Sequence, residues 1–141
     1  MEFGELLKEM TLSLNAFHRR NISVKGFTLS QCFLLSSIPD GGIDMSTLAE
    51  KLGLDNSTVT RLVETQEKHG FVQREKYELD RRITRVSLTE QGEELAEQVE
   101  ETLDTLGDAI LESVPLEKRE QVKESLELIL WGLSKEKLKH S

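Results

Sequence analysis

Phe3, Leu7, Met10, Leu14 and Phe17 recur at steps of four, three, four and three residues. That spacing predicts one amphipathic helix over residues 2–22. Gly26-Phe27-Thr28 ends it, and Thr28 is placed to cap a second helix, LSQCFLLSSI, whose apolar density marks it as buried. Pro39-Asp40-Gly41-Gly42 reads as a turn and Ile43-Asp44-Met45 as a short extended piece. Ser46 is expected to cap a brief helix, TLAEKLG, stopped by Gly53. A further helix with an Asp55 or Asn56 cap runs to a stop at Gly70. On it Val59, Leu62, Val63 and Gln66 share one face, while Ser57, Thr58, Thr60 and Arg61 lie away from that face at the N-terminal end. FVQREKY and RITRVSLT then alternate as strands, with Glu78 to Arg81 as the hairpin tip. Thr89 caps a long helix that carries Leu95, Val99, Leu103, Leu106 and Ile110 as far as Val114. Pro115 opens the last helix, with Val122, Leu126, Ile129 and Leu133 on one stripe.

Two short helices joined by Gly53-Leu54-Asp55 and followed directly by a hairpin make a winged helix-turn-helix: a mainly α fold with a small β-hairpin wing and long terminal helices. The order matters because an α-helix fits the major groove of DNA, and a narrow hairpin tipped with arginines reaches the neighbouring minor groove or backbone. Ser57, Thr58 and Thr60 offer short hydroxyls for phosphates or base edges, and Arg61 can address a guanine or a phosphate. Arg81, Arg82 and Arg85 would form the wing, and Asn56 and Arg74 complete the candidate set. Taken singly, a Ser-Thr cluster is a helix cap and a hairpin arginine a solvated charge. Taken in this order, they point to DNA.

Charge first argues otherwise, since the 141-residue chain carries a formal net charge of -8. Its distribution reverses that inference. Residues 56–86 hold seven basic against five acidic side chains, whereas residues 89–128 hold three basic against thirteen acidic. A basic island beside an acidic arm is the asymmetry of a local nucleic-acid surface. No apolar run approaches the roughly 20 residues that span a bilayer, and MEFGELLKEM lacks a basic stretch followed by an apolar one. A cytoplasmic protein without membrane association is expected. Nothing indicates an enzyme or a cofactor: there is no glycine-rich phosphate loop, no GxSxG, no HExxH and no catalytic Cys-His arrangement.

LAEKLGLDNSTVTRLVETQEKHGFVQRE and DRRITRVSLTEQG together resemble the MarR-type transcriptional regulators, most sharply from Leu48 to Leu95. The second stretch matches the wing signature of that family at Asp80, Arg82, Val86, Leu88, Thr89 and Gly92. The resemblance implies one MarR-like domain over 1–141, with a DNA-binding lobe at 28–88 and dimerisation helices at 1–25 and 89–141. It implies a homodimer on a pseudo-palindromic operator, more often a repressor, released by a small-molecule or other signal. It makes Arg82 the minor-groove arginine, with Asp80 positioning the turn or pairing with it. Ser57, Thr58, Thr60 and Arg61 become recognition-helix contacts, and Ser46 and Thr47 lie near the backbone.

One position departs from the family pattern. Gln66 stands where the family usually carries an apolar residue, so either the helix is rotated there or a polar group faces the cleft between the two lobes. Phe17, His18, Phe33 and Gln66 are candidate effector contacts; core packing explains Phe17 and Phe33 equally well. Cys32, the single cysteine, sits in the apolar second helix and reads as structural. His18, His69 and His140 lack paired ligand spacing, so no metal site is expected. Trp131 belongs either to a dimer interface or to its own subunit's core. The rival reading from another class is a winged helix used only for protein contacts, which has no need of both Arg61 and Arg82.

Overall fold

A computed structural model describes residues 1–22, 24 and 26–140, the last four by backbone alone. Its contacts divide the chain into residues 1–104 and 105–141.

In the first unit, α1 (Phe3–Asn21) is followed by α2 (Leu29–Ser36), where Thr28 and Gln31 exchange hydrogen bonds of 2.9 and 3.2 Å as a complete capping box. β1 (Ile43–Asp44) leads straight into α3 (Met45–Leu52), and Gly53 ends that helix at φ 67°, in the left-handed region. α4 (Asn56–Lys68) is capped by Asp55, which accepts from the Thr58 N–H at 2.7 Å. β2 (Val72–Tyr77) and β3 (Asp80–Leu88) form an antiparallel hairpin, and β1 joins the other edge of β3 to give the order β1-β3-β2. Buried Leu34, Leu35, Leu48, Val59, Val63 and Val86 bring α2, α3, α4 and the sheet onto one core. Among the described residues, six α-helices with a three-stranded wing sheet in this order make a winged helix.

α5 (Glu90–Glu112) begins in the first unit and ends in the second. There a 3-10 turn, Leu116–Lys118, precedes α6 (Arg119–His140). The Arg119 guanidinium ties this turn to the end of α5, donating to the Val114 carbonyl at 2.9 Å and the Glu112 carbonyl at 3.3 Å. Carbonyls at a helix C-terminus have no partner within the helix, which is why a cation is favoured there.

Four local expectations need correcting. α3 starts two residues early, at Met45, so Asp44 holds the N-cap position in place of Ser46. The Asp44 side chain makes no cap hydrogen bond and instead accepts from Arg85 at 2.9 Å. The hairpin turn is only Glu78-Leu79: Tyr77 pairs with Asp80, which puts Asp80 and Arg81 already in β3. α2 and α5 stop two residues short, at Ser36 and Glu112. Pro115, at ψ 137°, caps the 3-10 turn and does not open α6, since Leu116–Lys118 intervene.

Candidate nucleic-acid interface

α4 owes its exposed polar start to Asp55. That carboxylate accepts from the Thr58 N–H at 2.7 Å and the Ser57 hydroxyl at 2.9 Å, and these bonds, the backbone one first, hold it below the usual aspartate range. Ser57 is thereby committed to the cap as well as exposed. Thr60 Oγ1 donates back to the Asn56 carbonyl at 2.8 Å, and Arg61 to Thr58 Oγ1 at 3.3 Å. The opposite face of α4 buries Val59, Val63 and Gln66.

The wing presents its arginines unequally. Arg82 forks onto Asp80, Nε to Oδ1 at 3.0 Å and Nη2 to Oδ2 at 2.9 Å, while the Arg82 backbone N–H also donates to Oδ1 at 3.1 Å. The Arg82 side chain is nevertheless 90% exposed. Two of its five N–H donors are used, and three remain for a base edge or a phosphate. The same bonds lower the Asp80 pKa and raise that of Arg82.

Arg85 is held differently. It donates to Asp44 Oδ1 at 2.9 Å and to the Gly41 carbonyl at 3.2 Å, with its guanidinium 5.4 Å from the centre of the Tyr77 ring. It therefore ties β1 and the Gly41 turn to the wing. Arg74 donates to Glu67 at 2.9 Å, which depresses the Glu67 pKa, and fastens β2 to the end of α4. Both were candidate DNA contacts, and both have partners across the fold that sequence spacing did not reveal. Arg85→Ala should lower stability by about 1 kcal/mol, a salt-bridged and partly exposed site. Urea denaturation measures this, and an unchanged midpoint would return Arg85 to the free wing cations.

Between α3, α4 and β3 lies a cleft of about 250 Å³ lined by Met45, Ser46, Asn56, Thr60, Arg82, Ile83 and Thr84. Four candidate residues, Ser46, Asn56, Thr60 and Arg82, thus share one concave surface. Thr47, Ser57, Arg61 and Arg81 are exposed, while Thr58 is half-buried.

The candidate effector residues lie elsewhere in this unit. Phe17, His18 and Phe33 are in ring contact, with His18 edge-on to Phe33 at 5.9 Å. His69 stacks on Phe27 at 5.5 Å, and the His140 side chain lies outside the described residues. Gln66 is fully buried, and neither atom of its amide has a protein hydrogen-bond partner. Cys32 is buried too, and burial pushes its thiol pKa up. Among the described residues no three His, Cys, Asp or Glu side chains are grouped to hold a metal ion, and no helix is long and apolar enough to cross a membrane.

The MarR-family model matches residues 27–84, which takes in α2, the helix-turn-helix and the first half of the wing. The chain belongs to the MarR family. This is a family of transcriptional regulators and not of enzymes. The chain is 28% identical over 103 residues to the HTH-type transcriptional repressor MdtR of Bacillus subtilis, covering 67% of this chain and 66% of that protein. It is 33% identical over 97 residues to the regulator YfiV of the same organism, covering 69% of this chain and 61% of that one. The chain thus spans about two thirds or less of the curated relatives it matches. The fold agrees with the crystal structure of MarR at TM-score 0.82, 21% identity and coverage of 99% and 95% of the two chains. It agrees with MepR of S. aureus, solved as a DNA complex, at TM-score 0.74, 19% identity and coverage of 94% and 98%.

Proposed function

We propose that this chain is a homodimeric, cytoplasmic repressor that binds a pseudo-palindromic operator in double-stranded DNA and is released by a small molecule or other signal. The observation that carries the reading is the shared cleft: Ser46, Asn56 and Thr60 from the helix-turn-helix meet Arg82 of the wing on one surface, and Arg82 is 90% exposed with donors to spare. Folding alone does not need an arginine there. MdtR is a transcriptional repressor and MepR has been solved on DNA, which supports the same assignment for this chain.

The terminal helices support two-fold assembly. α1 carries an amphipathic stripe yet has no buried residue, and Phe3 and Leu6 are more than half exposed. On α6, Leu128, Leu130, Trp131 and Leu133 are each more than half exposed. Apolar side chains in such numbers need a partner surface, and a second copy supplies one to each helix at once. Residues 1–25 and 89–141 are then the dimerisation part and 28–88 the DNA-binding lobe. The effector would bind among Phe17, His18, Phe33 and Gln66 and favour one separation of the two recognition helices α4. The operator affinity then falls by the ratio of its affinities for the two states.

The test is a gel shift across a salt series, with an operator selected from random DNA and a random duplex as competitor. Arg82→Ala should weaken binding by roughly tenfold to a hundredfold and reduce the salt slope by about one. The variant should sediment as a dimer like the wild type. Wild-type affinity for Arg82→Ala would overturn the wing assignment, and salt-independent binding by the wild type would favour a protein-contact module.

A further inference from the structure

The two residues at the end of the wing are not the ones a tight hairpin asks for. A two-residue turn favours Asn-Gly, Asp-Gly or a leading Gly, because its backbone needs positive φ. This turn is Glu78-Leu79, and Leu79 is 83% exposed. The residues behind it are fixed: Arg85 packs over Tyr77, and Asp80 holds Arg82 through three hydrogen bonds. A leucine at this place gains nothing from the core and does not help the turn. It stands at the outermost point of a hairpin braced from below.

We infer that Leu79 is the apolar tip of the wing, packing in the DNA minor groove against deoxyribose walls and selecting A·T over G·C base pairs beneath it; this rests on the DNA-binding reading above. Arg82 lies three residues behind the tip, so a wing that delivers Arg82 to the minor groove delivers Leu79 there too. The groove is about 6 Å wide, with sugar C–H groups for walls. An apolar side chain inserted there gains contact with those walls, and the water it displaces from the N3 and O2 acceptors is a cost shared by A·T and G·C pairs. The guanine 2-amino group projects into the same groove and is absent from A·T pairs. A leucine pressed over that amino group would strip its water and return no hydrogen bond. The discrimination follows from that one atom group.

Inosine·cytosine pairs isolate it, since they lack the 2-amino group and otherwise resemble G·C. The full chain would be titrated with its selected operator, in which the base pairs beneath each wing, located by hydroxyl-radical protection, are A·T, I·C or G·C. Wild type should bind the A·T and I·C duplexes alike and the G·C duplex about tenfold more weakly. Leu79→Ala should lose about tenfold on the A·T duplex and bind I·C and G·C alike. Its salt slope should stay at the wild-type value, because no counterion release is lost. Leu79→Met should restore most of the affinity. If Leu79→Ala keeps both the affinity and the discrimination while Arg82→Ala weakens binding, the inference about Leu79 is overturned and the regulator reading stands. If the wild type selects no operator at all, both fall.

Discussion

Gly92→Ala is expected to destabilise the protein by about 3 kcal/mol or more, in line with severe overpacking at a position where backbone must move. A Cβ on Gly92 would lie 1.9 Å from the Phe71 carbonyl oxygen and 2.9 Å from its carbonyl carbon. Phe71 cannot easily give way. Its N–H donates to the Gln66 carbonyl at 2.9 Å, and its own carbonyl accepts from the Thr89 N–H at 3.1 Å. Thr89 Oγ1 donates in turn to the Gly70 carbonyl at 2.6 Å, while the Gly92 N–H donates to that same hydroxyl at 3.1 Å. The Leu-Thr-x-x-Gly stretch of the wing signature is therefore a joint. It locks the start of α5 onto the link between α4 and β2, and so sets where the wing stands relative to the recognition helix. Gly107 provides the control, since it lies in the same helix and a Cβ added there would meet nothing within 4 Å. Gly107→Ala should be neutral or stabilising by up to about 1 kcal/mol. Thermal unfolding by circular dichroism at one protein concentration compares the two. Equal melting temperatures for Gly92→Ala and wild type would show that the joint opens freely and that the glycine is not needed for contact.

Much of this architecture was legible because its causes are local. Thr28 and Gln31 spell a capping box within four residues, Asp55 precedes a helix that needs an acceptor, and Gly53 and Gly70 mark the ends of α3 and α4 in the left-handed conformation. The basic island identified the hairpin as a surface of interest. What was not legible depends on partners far along the chain. Arg85 finds Asp44 across 41 residues through the β1–β3 pairing, at the residue that holds the N-cap position of α3. Arg74 finds Glu67 at the end of α4. The strand alternation gave the hairpin but not the length of its turn, because the register shifts between Lys76 and Tyr77. Arg119 was missed as a cap for α5, although a basic residue just past a helix end was the available signal.

Gln66 shows both sides of that boundary. Two alternatives stood open, a rotated helix or a polar group facing the cleft between the two lobes, and the structure removes the first. Val59, Val63 and Gln66 are all buried at steps of four and three, so α4 keeps its register and the amide lies in the apolar interior. Burial without a hydrogen bond costs about 1 to 3 kcal/mol for such a group. Leucine has nearly the same size and no polar atoms. Gln66→Leu is accordingly expected to stabilise the protein by about 1 to 3 kcal/mol and to raise its melting temperature by several degrees. The comparison must be made at one chain concentration, because assembly itself raises apparent stability. An unchanged or lower melting temperature would mean that the amide is satisfied in solution, by bound water or by a ligand, and has no penalty to relieve. The operator assay then gives the functional half of the result. If the amide is kept for an effector, Gln66→Leu should bind operator like wild type and lose its response to the releasing compound, so that one substitution raises stability and removes regulation. A stabilised variant that still responds would take Gln66 out of the effector site and leave Phe17, His18 and Phe33 as its remaining candidates.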